Sequence, residues 1–276
     1  MSPKSAATWS SPFPASRGIS VTESRYIRDR PSQFAELSLP AGDGPVRGTV
    51  VVVHGGFWRS SYGLELGRPL AIDLADAGYA AWNVEYRRIS GGGGPDEGGW
   101  PATFDDVAAA VDHLADLREP RLDPARVVGL GHSAGGHLVA WLAARPGLPA
   151  GAPGASPRVV LRGAVSQAGV LDLVDGAALG GGAATDLLGG PPARIPGRYA
   201  LGSPAERLPV GVPVICVHGT ADGNVPLRQS RRYVERAQAA GDPAELVTLD
   251  GADHFAVIDP AADAWRVCTE ALARLL

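Results

Sequence analysis

Ser133 sits in Gly131-His132-Ser133-Ala134-Gly135, the spacing in this chain that most plainly suits chemistry. An apolar run, Val127-Val128-Gly129-Leu130, leads in, and an Ala/Leu-rich segment leads out. Strand, sharp turn and helix in that order would push a serine hydroxyl into a cleft. Glycines on either side, lacking a Cβ, let strand and helix approach closely. The helix start would aim unpaired N–H groups and a positive dipole end at whatever the serine attacks. The plain alternative is a tight turn that happens to contain a serine.

A serine hydroxyl needs a base to take its proton, and the base needs an acid to orient it. There are six histidines. His254, in Gly251-Ala252-Asp253-His254-Phe255, falls in a loop between the last strand-like run and the last helical one, from which it can reach back to Ser133. His54 and His218 close strands, where local hydrogen bonds are the usual role. His113 and His137 lie in helical patterns, and His132 flanks the serine. For the acid, Asp222 follows Val217-His218-Gly219-Thr220-Ala221, just past the penultimate strand. Asp250 and Asp253 are rivals by proximity, but Asp253 adjoins the histidine and would have difficulty turning onto its ring. A tetrahedral intermediate also needs donors for its oxyanion, each worth on the order of 3 kcal/mol. The N–H of Ala134 is one candidate. Gly56 and Phe57, in the turn His54-Gly55-Gly56-Phe57-Trp58, are the others.

Other patterns imply less. The run Gly91 to Gly94 lacks the Lys-Ser/Thr of a phosphate loop and reads as a flexible connection. No Cys/His or carboxylate cluster has metal-ligand spacing, so neither a metal nor a cofactor is expected. Asp105-Asp106 reads as a solvated helix start. Cys216 and Cys268 read as small buried apolar residues without a disulfide.

The elements that must position these residues follow from periodicity. Residues 1–18 read as a loose leader, and 19–276 as one domain. Ile19-Ser20-Val21 and Phe34 to Leu39 suggest one or two half-exposed antiparallel strands. Thr49 to Val53 is a β-branched run buried on both faces. Strand-like segments follow at 79–84, 127–130, 159–165, 212–217 and 245–249. Helical segments fall between them at 64–77, 102–117, 134–144 and 227–240, with a closing helix at 261–275. That alternation implies a mainly parallel sheet with helices on both faces. Ligands then bind at the carboxyl ends of the strands. A Gly/Pro-rich stretch, 168–211, interrupts the alternation.

At 276 residues, with 45% apolar and 20% charged, the chain has the composition of an ordinary globular protein. The net charge of −4 gives no basic face for nucleic acid. No run approaches the roughly 20 apolar residues of a membrane span. The first 20 residues lack a secretory h-region, and a cytoplasmic location is the default expectation.

From about Val46 onward the chain resembles the α/β-hydrolase-fold serine esterases. The motif around Ser133, the His54-Gly-Gly loop, the Asp222 turn and the His254 loop stand in that family's chain order. Within it, His54-Gly55-Gly56-Phe57-Trp58, Val84-Glu85-Tyr86-Arg87 and Trp100-Pro101 resemble the kynurenine formamidases (arylformamidases). The related hormone-sensitive-lipase-like esterases carry a third glycine where Phe57 stands. The resemblance implies hydrolysis of a small-molecule ester, amide or aryl formamide through an acyl-enzyme. It also implies a small lid at 168–211 and a pocket lined by Trp58, Trp100 and Phe255, with Leu187 and Leu188 as further lid candidates. A general short-chain carboxylesterase and a non-catalytic binding protein on the same fold are the alternatives, with a peptidase less favoured.

Overall fold

The structure, a computed structural model, describes residues 18–276. Residues 1–17 of the expected leader lie outside the described residues. Eight strands form one sheet: β1 (Ser20–Ser24), β2 (Ala35–Leu39), β3 (Thr49–Val53), β4 (Ala80–Val84), β5 (Val127–His132), β6 (Ala164–Gln167), β7 (Val214–Gly219) and β8 (Ala244–Leu249). Their spatial order is β1-β2-β4-β3-β5-β6-β7-β8. β1 and β2 are antiparallel to their neighbours, and every pairing from β4 to β8 is parallel. β1 is largely exposed, whereas β2 is mostly buried.

β3 shows why its sequence does not alternate. Val51 and Val53 enter one apolar cluster, with Trp82, Phe104, Leu138 and Trp141. Val50 and Val52 enter another, with Leu70, Leu74, Trp265 and Leu272. Successive side chains of a strand face opposite ways, so a strand covered on both faces must be apolar throughout. Helices α1 (Arg68–Asp76) and α7 (Asp263–Ala273) cover the second face. Helices α2 (Ala102–Asp112), α3 (Ala134–Ala143), α4 (Leu179–Leu188), α5 (Pro196–Gly202) and α6 (Arg228–Ala239) pack on the first.

Several expected elements shift. The helix expected from 64 to 77 is a 3-10 turn at Leu64–Leu66 followed by α1. The break is at Gly67, where a Cβ would lie 2.2 Å from Asn83 Oδ1. The strand expected from 159 begins only at Ala164. The Asp112 carboxylate takes the N–H groups of Arg158 and Val159, which diverts that stretch from the sheet. Asp106 is not solvated but fully buried. Arg87 grips it through Nε and Nη2, at 2.8 and 2.7 Å, and Gln33 donates to it at 2.8 Å. Gly91 to Gly94 curls around the Glu97 carboxylate, which accepts the N–H groups of Ser90, Gly91 and Gly93. Both cysteines are free and buried, and burial pushes each thiol up to about 12.

The chain runs from β3 to β4 on one side, then crosses to β5 on the other. The strand order therefore reverses around β3, and such a switch point opens a crevice at the strands' carboxyl ends. Val53 pairs with Gly131, so β3 and β5 end side by side. The loops that follow them meet there.

Candidate active site

Ser133 lies between β5 and α3 with φ 55 and ψ −116. A non-glycine residue at positive φ costs on the order of 1–3 kcal/mol and persists only where its surroundings enforce it. Here they do. The Ser133 N–H donates to Gln167 O at 2.8 Å, and its carbonyl accepts from His137 N at 3.1 Å. A Cβ on Gly131 would lie 2.2 Å from Gly135 O, and one on Gly135 would lie 2.0 Å from Val53 O. Only glycine fits at either position. Ser133 is 2% exposed, and its hydroxyl makes no cap hydrogen bond to α3. A serine placed only to cap a helix would use that oxygen for the backbone.

His254 and Asp222 meet as the chain order suggests. His254 Nδ1 donates to Asp222 Oδ2 at 2.6 Å. That fixes the hydrogen of a neutral ring on Nδ1 and leaves the Nε2 lone pair free. Asp222 Oδ1 accepts the N–H groups of Asn224 and Val225, each at 2.8 Å. His218 Nε2 lies 3.2 Å from Oδ2. Burial is the largest single influence on the Asp222 carboxyl and raises it. The hydrogen bonds from His218, His254 and Val225 together outweigh burial and hold it well below the usual carboxylate range. The rivals are engaged elsewhere. Asp253 caps its own loop through Phe255 N and Ala256 N, and Asp250 accepts from Thr220.

His132, which the sequence marked only as a flanking residue, links the two halves. Its Nε2 donates to the His254 carbonyl at 2.9 Å, and the two rings lie 4.5 Å apart. Burial, reinforced by the neighbouring His254, lowers the His132 ring to about 3, so it is neutral. The signal was available in its position, one residue before the serine.

The loop after β3 is strained in the same manner as the serine. Gly56, Phe57 and Trp58 have φ of 110, 51 and 57 in succession. Gly55 packs directly on Ser133, since a Cβ there would lie 3.0 Å from Ser133 Cβ. Among the described residues, the N–H groups of Gly56, Phe57 and Ala134 donate to no protein acceptor. Behind the loop, His54 Nδ1 donates to Gly55 O at 2.8 Å, and Tyr86 Oη donates to His54 O at 3.0 Å.

The expected pocket is rearranged. Trp58 is 1% exposed and meets His137 edge-on at 5.1 Å. With Phe57 and Trp58 both left-handed, the indole packs into the core. Leu187 and Leu188 are core residues too. Trp100 is half-buried against Phe104. Phe255 is 56% exposed, with its ring 5.3 Å from that of His254. The 168–211 stretch carries α4 and α5, and its Gly180 lies against the Phe57 ring. His137 and Trp141, one turn apart on α3, donate to Gly202 O and Leu201 O at 2.8 and 2.9 Å. They tie that segment to the helix that begins just after Ser133. No group of three or more His, Cys, Asp or Glu able to hold a metal occurs among the described residues.

Fold and site together define a serine hydrolase of the carboxylesterase type on an α/β-hydrolase scaffold. The chain belongs to the BD-FAE family, whose family model matches residues 36–236. No curated protein matches the sequence significantly. Among solved structures, a truncated form of a carbohydrate esterase from gut microbiota is 21% identical, with a TM-score of 0.77 over 95% of this chain and 98% of its own. That likeness shows the fold. An esterase of the planctomycete Thermogutta terrifontis is 26% identical, with a TM-score of 0.72 over 95% of this chain and 93% of its own. The same esterase bound to propionate is 26% identical with a TM-score of 0.70, over 95% and 93% of the two chains. Its form phosphorylated by paraoxon is 25% identical with a TM-score of 0.69, over the same shares. Among the described residues, no helix is long and apolar enough to cross a membrane.

Proposed function

We propose that the protein hydrolyses small-molecule carboxylic esters through an acyl-enzyme on Ser133. The observation that carries this reading is the 2.6 Å contact of His254 Nδ1 with Asp222, in a loop that His132 fastens beside the strained serine. His254 Nε2 takes the Ser133 hydroxyl proton as Oγ bonds to the acyl carbon. The charge that develops on the carbonyl oxygen is met by the N–H groups of Ala134, Gly56 and Phe57. Asp222, ionised throughout, stabilises the imidazolium. The imidazolium returns the proton to the leaving oxygen as the C–O bond breaks. Water then repeats the sequence on the acyl-enzyme. The propionate-bound form of the Thermogutta esterase supports a short acyl group, and the gut carbohydrate esterase makes acylated sugars a class to assay beside simple esters. The 168–211 segment, seated on Phe57, serves as the small lid.

The turn His54-Gly55-Gly56-Phe57-Trp58 favours a second reading, an aryl formamide as substrate. Rates on N-formylkynurenine and on short- and longer-chain p-nitrophenyl esters separate the two, and a formamide rate at background removes the second. For the main reading, Ser133→Ala should abolish p-nitrophenyl acetate turnover while the circular dichroism spectrum is retained. A fluorophosphonate should add one adduct to the intact mass of the wild type and none to the variant. Undiminished turnover in Ser133→Ala would overturn the assignment. A wild type that takes no adduct would favour the binding protein.

A further inference from the structure

The loop that faces the substrate is itself held from behind. His54 is completely buried, and both its ring nitrogens meet acceptors. Nδ1 lies 2.8 Å from the Gly55 carbonyl, and Nε2 lies 3.1 Å from Glu85 Oε1. A carbonyl oxygen can only accept, so Nδ1 carries a hydrogen. Glu85 already receives two backbone donors, Tyr86 N on Oε1 at 2.9 Å and Leu64 N on Oε2 at 3.1 Å. The Arg88 Nε–H donates to the Tyr86 carbonyl at 3.2 Å, and its positive charge lies 3.3 Å from Oε1. Donors on both oxygens beside a guanidinium define a carboxylate, and Nε2 must carry a hydrogen as well to meet it.

We propose that Glu85 keeps His54 as a buried imidazolium whose Nδ1–H locks the Gly55–Gly56 peptide plane, making His54 and Glu85 positioning residues for the oxyanion hole. The inference rests on the reading of Ser133, Gly56 and Phe57 given above. Its logic is planar. In a trans peptide the C=O and the following N–H point in opposite directions. Holding the Gly55 carbonyl against the His54 ring turns the Gly56 N–H away from that ring, where nothing among the described residues accepts it. Gly55 itself abuts Ser133, so this peptide borders the attacked carbonyl. Glycine at 55 and 56 opposes a peptide flip only weakly. The side-chain lock supplies what the backbone lacks. A flipped plane would present a carbonyl oxygen to the oxyanion and repel it.

Other groups agree with the charge assignment. Burial raises the Glu85 carboxyl, but the contacts with His54, Arg88 and the Tyr86 N–H hold it lower than an ordinary glutamate. Tyr86 stacks on the His54 ring at 4.4 Å with an interplanar angle of 11° and keeps its own proton. Glu65 and Arg88 converge with Glu85 around Gly63, and Arg68 feels both carboxylates. On the β5 side His132 lies against Gly55 and is neutral as described.

The test begins with the unmodified protein. In ¹⁵N-histidine NMR at pH 8, His54, assigned by the loss of its signals in His54→Asn, should show two protonated ring nitrogens. A neutral tautomer at pH 8 would overturn the proposal without any folding question. Kinetics give the second arm. His54→Phe, which keeps a ring against Tyr86 but removes the Nδ1–H, should lower kcat for p-nitrophenyl acetate about 100-fold, the scale of one oxyanion donor, with KM within about twofold. Glu85→Gln, whose amide nitrogen can face Nε2 and leave the ring hydrogen on Nδ1, should lose less than His54→Phe. A kcat for His54→Phe equal to wild type, with turnover still lost in Ser133→Ala, sinks this inference alone. Turnover that survives Ser133→Ala sinks the underlying reading instead.

Discussion

Asp222 concentrates the site's electrostatics in one side chain. Two histidines and two backbone N–H groups converge on it, and each favours the ionised form. Asp222→Asn keeps the shape but removes the charge, and an amide nitrogen facing Nδ1 would drive the His254 hydrogen onto Nε2. Under the proposed mechanism the ring would then offer Ser133 a donor in place of an acceptor. We expect kcat on p-nitrophenyl acetate to fall by about 10⁴ with unfolding behaviour little changed. A loss under tenfold, measured under the same conditions, would transfer the acid's role to another group. The placement of Ser133, His254 and Asp222 in loops after strands, and the His254–Asp222 contact, are legible because a nucleophile, base and acid would need those residue types there. His132 and Glu85 are not, because their contacts are with backbone carbonyls and a second buried side chain, which no spacing encodes.

At the scale of elements, the turn from β5 to α3 is the tightest junction in the molecule. Strand and helix meet through Gly131 and Gly135, where the hypothetical Cβ contacts are with backbone atoms that cannot rotate away. Gly135→Ala should therefore cost at least about 3 kcal/mol in urea unfolding. Gly44→Ala, in open space on a surface turn, should be neutral or slightly stabilising. Equal midpoints for the two variants would refute the packing argument. The elements were legible wherever apolar period and glycine punctuation agreed, as at β3, β5 and α3. They were misplaced where a buried carboxylate redirected the backbone. Asp112 draws 158–159 out of the sheet, and Asp106 turns an apparent surface helix start into an anchor for β4. Nothing in the sequence announces consecutive left-handed residues at Phe57 and Trp58, so the buried indole of Trp58 reads there as a pocket residue.

Across the whole molecule, buried neutral histidines contribute to the loss of stability in acid. Burial lowers His137 to about 4, and in the unfolded chain such a ring titrates near 6.5. Between those values the unfolded state binds more protons than the native one. Stability is therefore lost as pH falls through that window, by about 1.4 kcal/mol per unit for one ring, and this contribution is flat above it. His137→Gln removes that proton uptake. The gap in unfolding free energy between wild type and variant should shrink steadily from pH 6.5 to pH 4.5. Parallel curves in urea titrations at those pH values would contradict the assignment.

The two cysteines offer an experimental opening of a different kind. Both thiols are buried and held protonated, and the chain contains no others. Thiol-reactive dyes need a thiolate they can reach, so the native protein is silent toward them. A cysteine introduced at Tyr62, half-exposed beside Gly56, becomes a unique attachment point at the mouth of the cleft. A fluorophore there should change its emission when p-nitrophenyl acetate is added, read by stopped flow with no need to strip the background first.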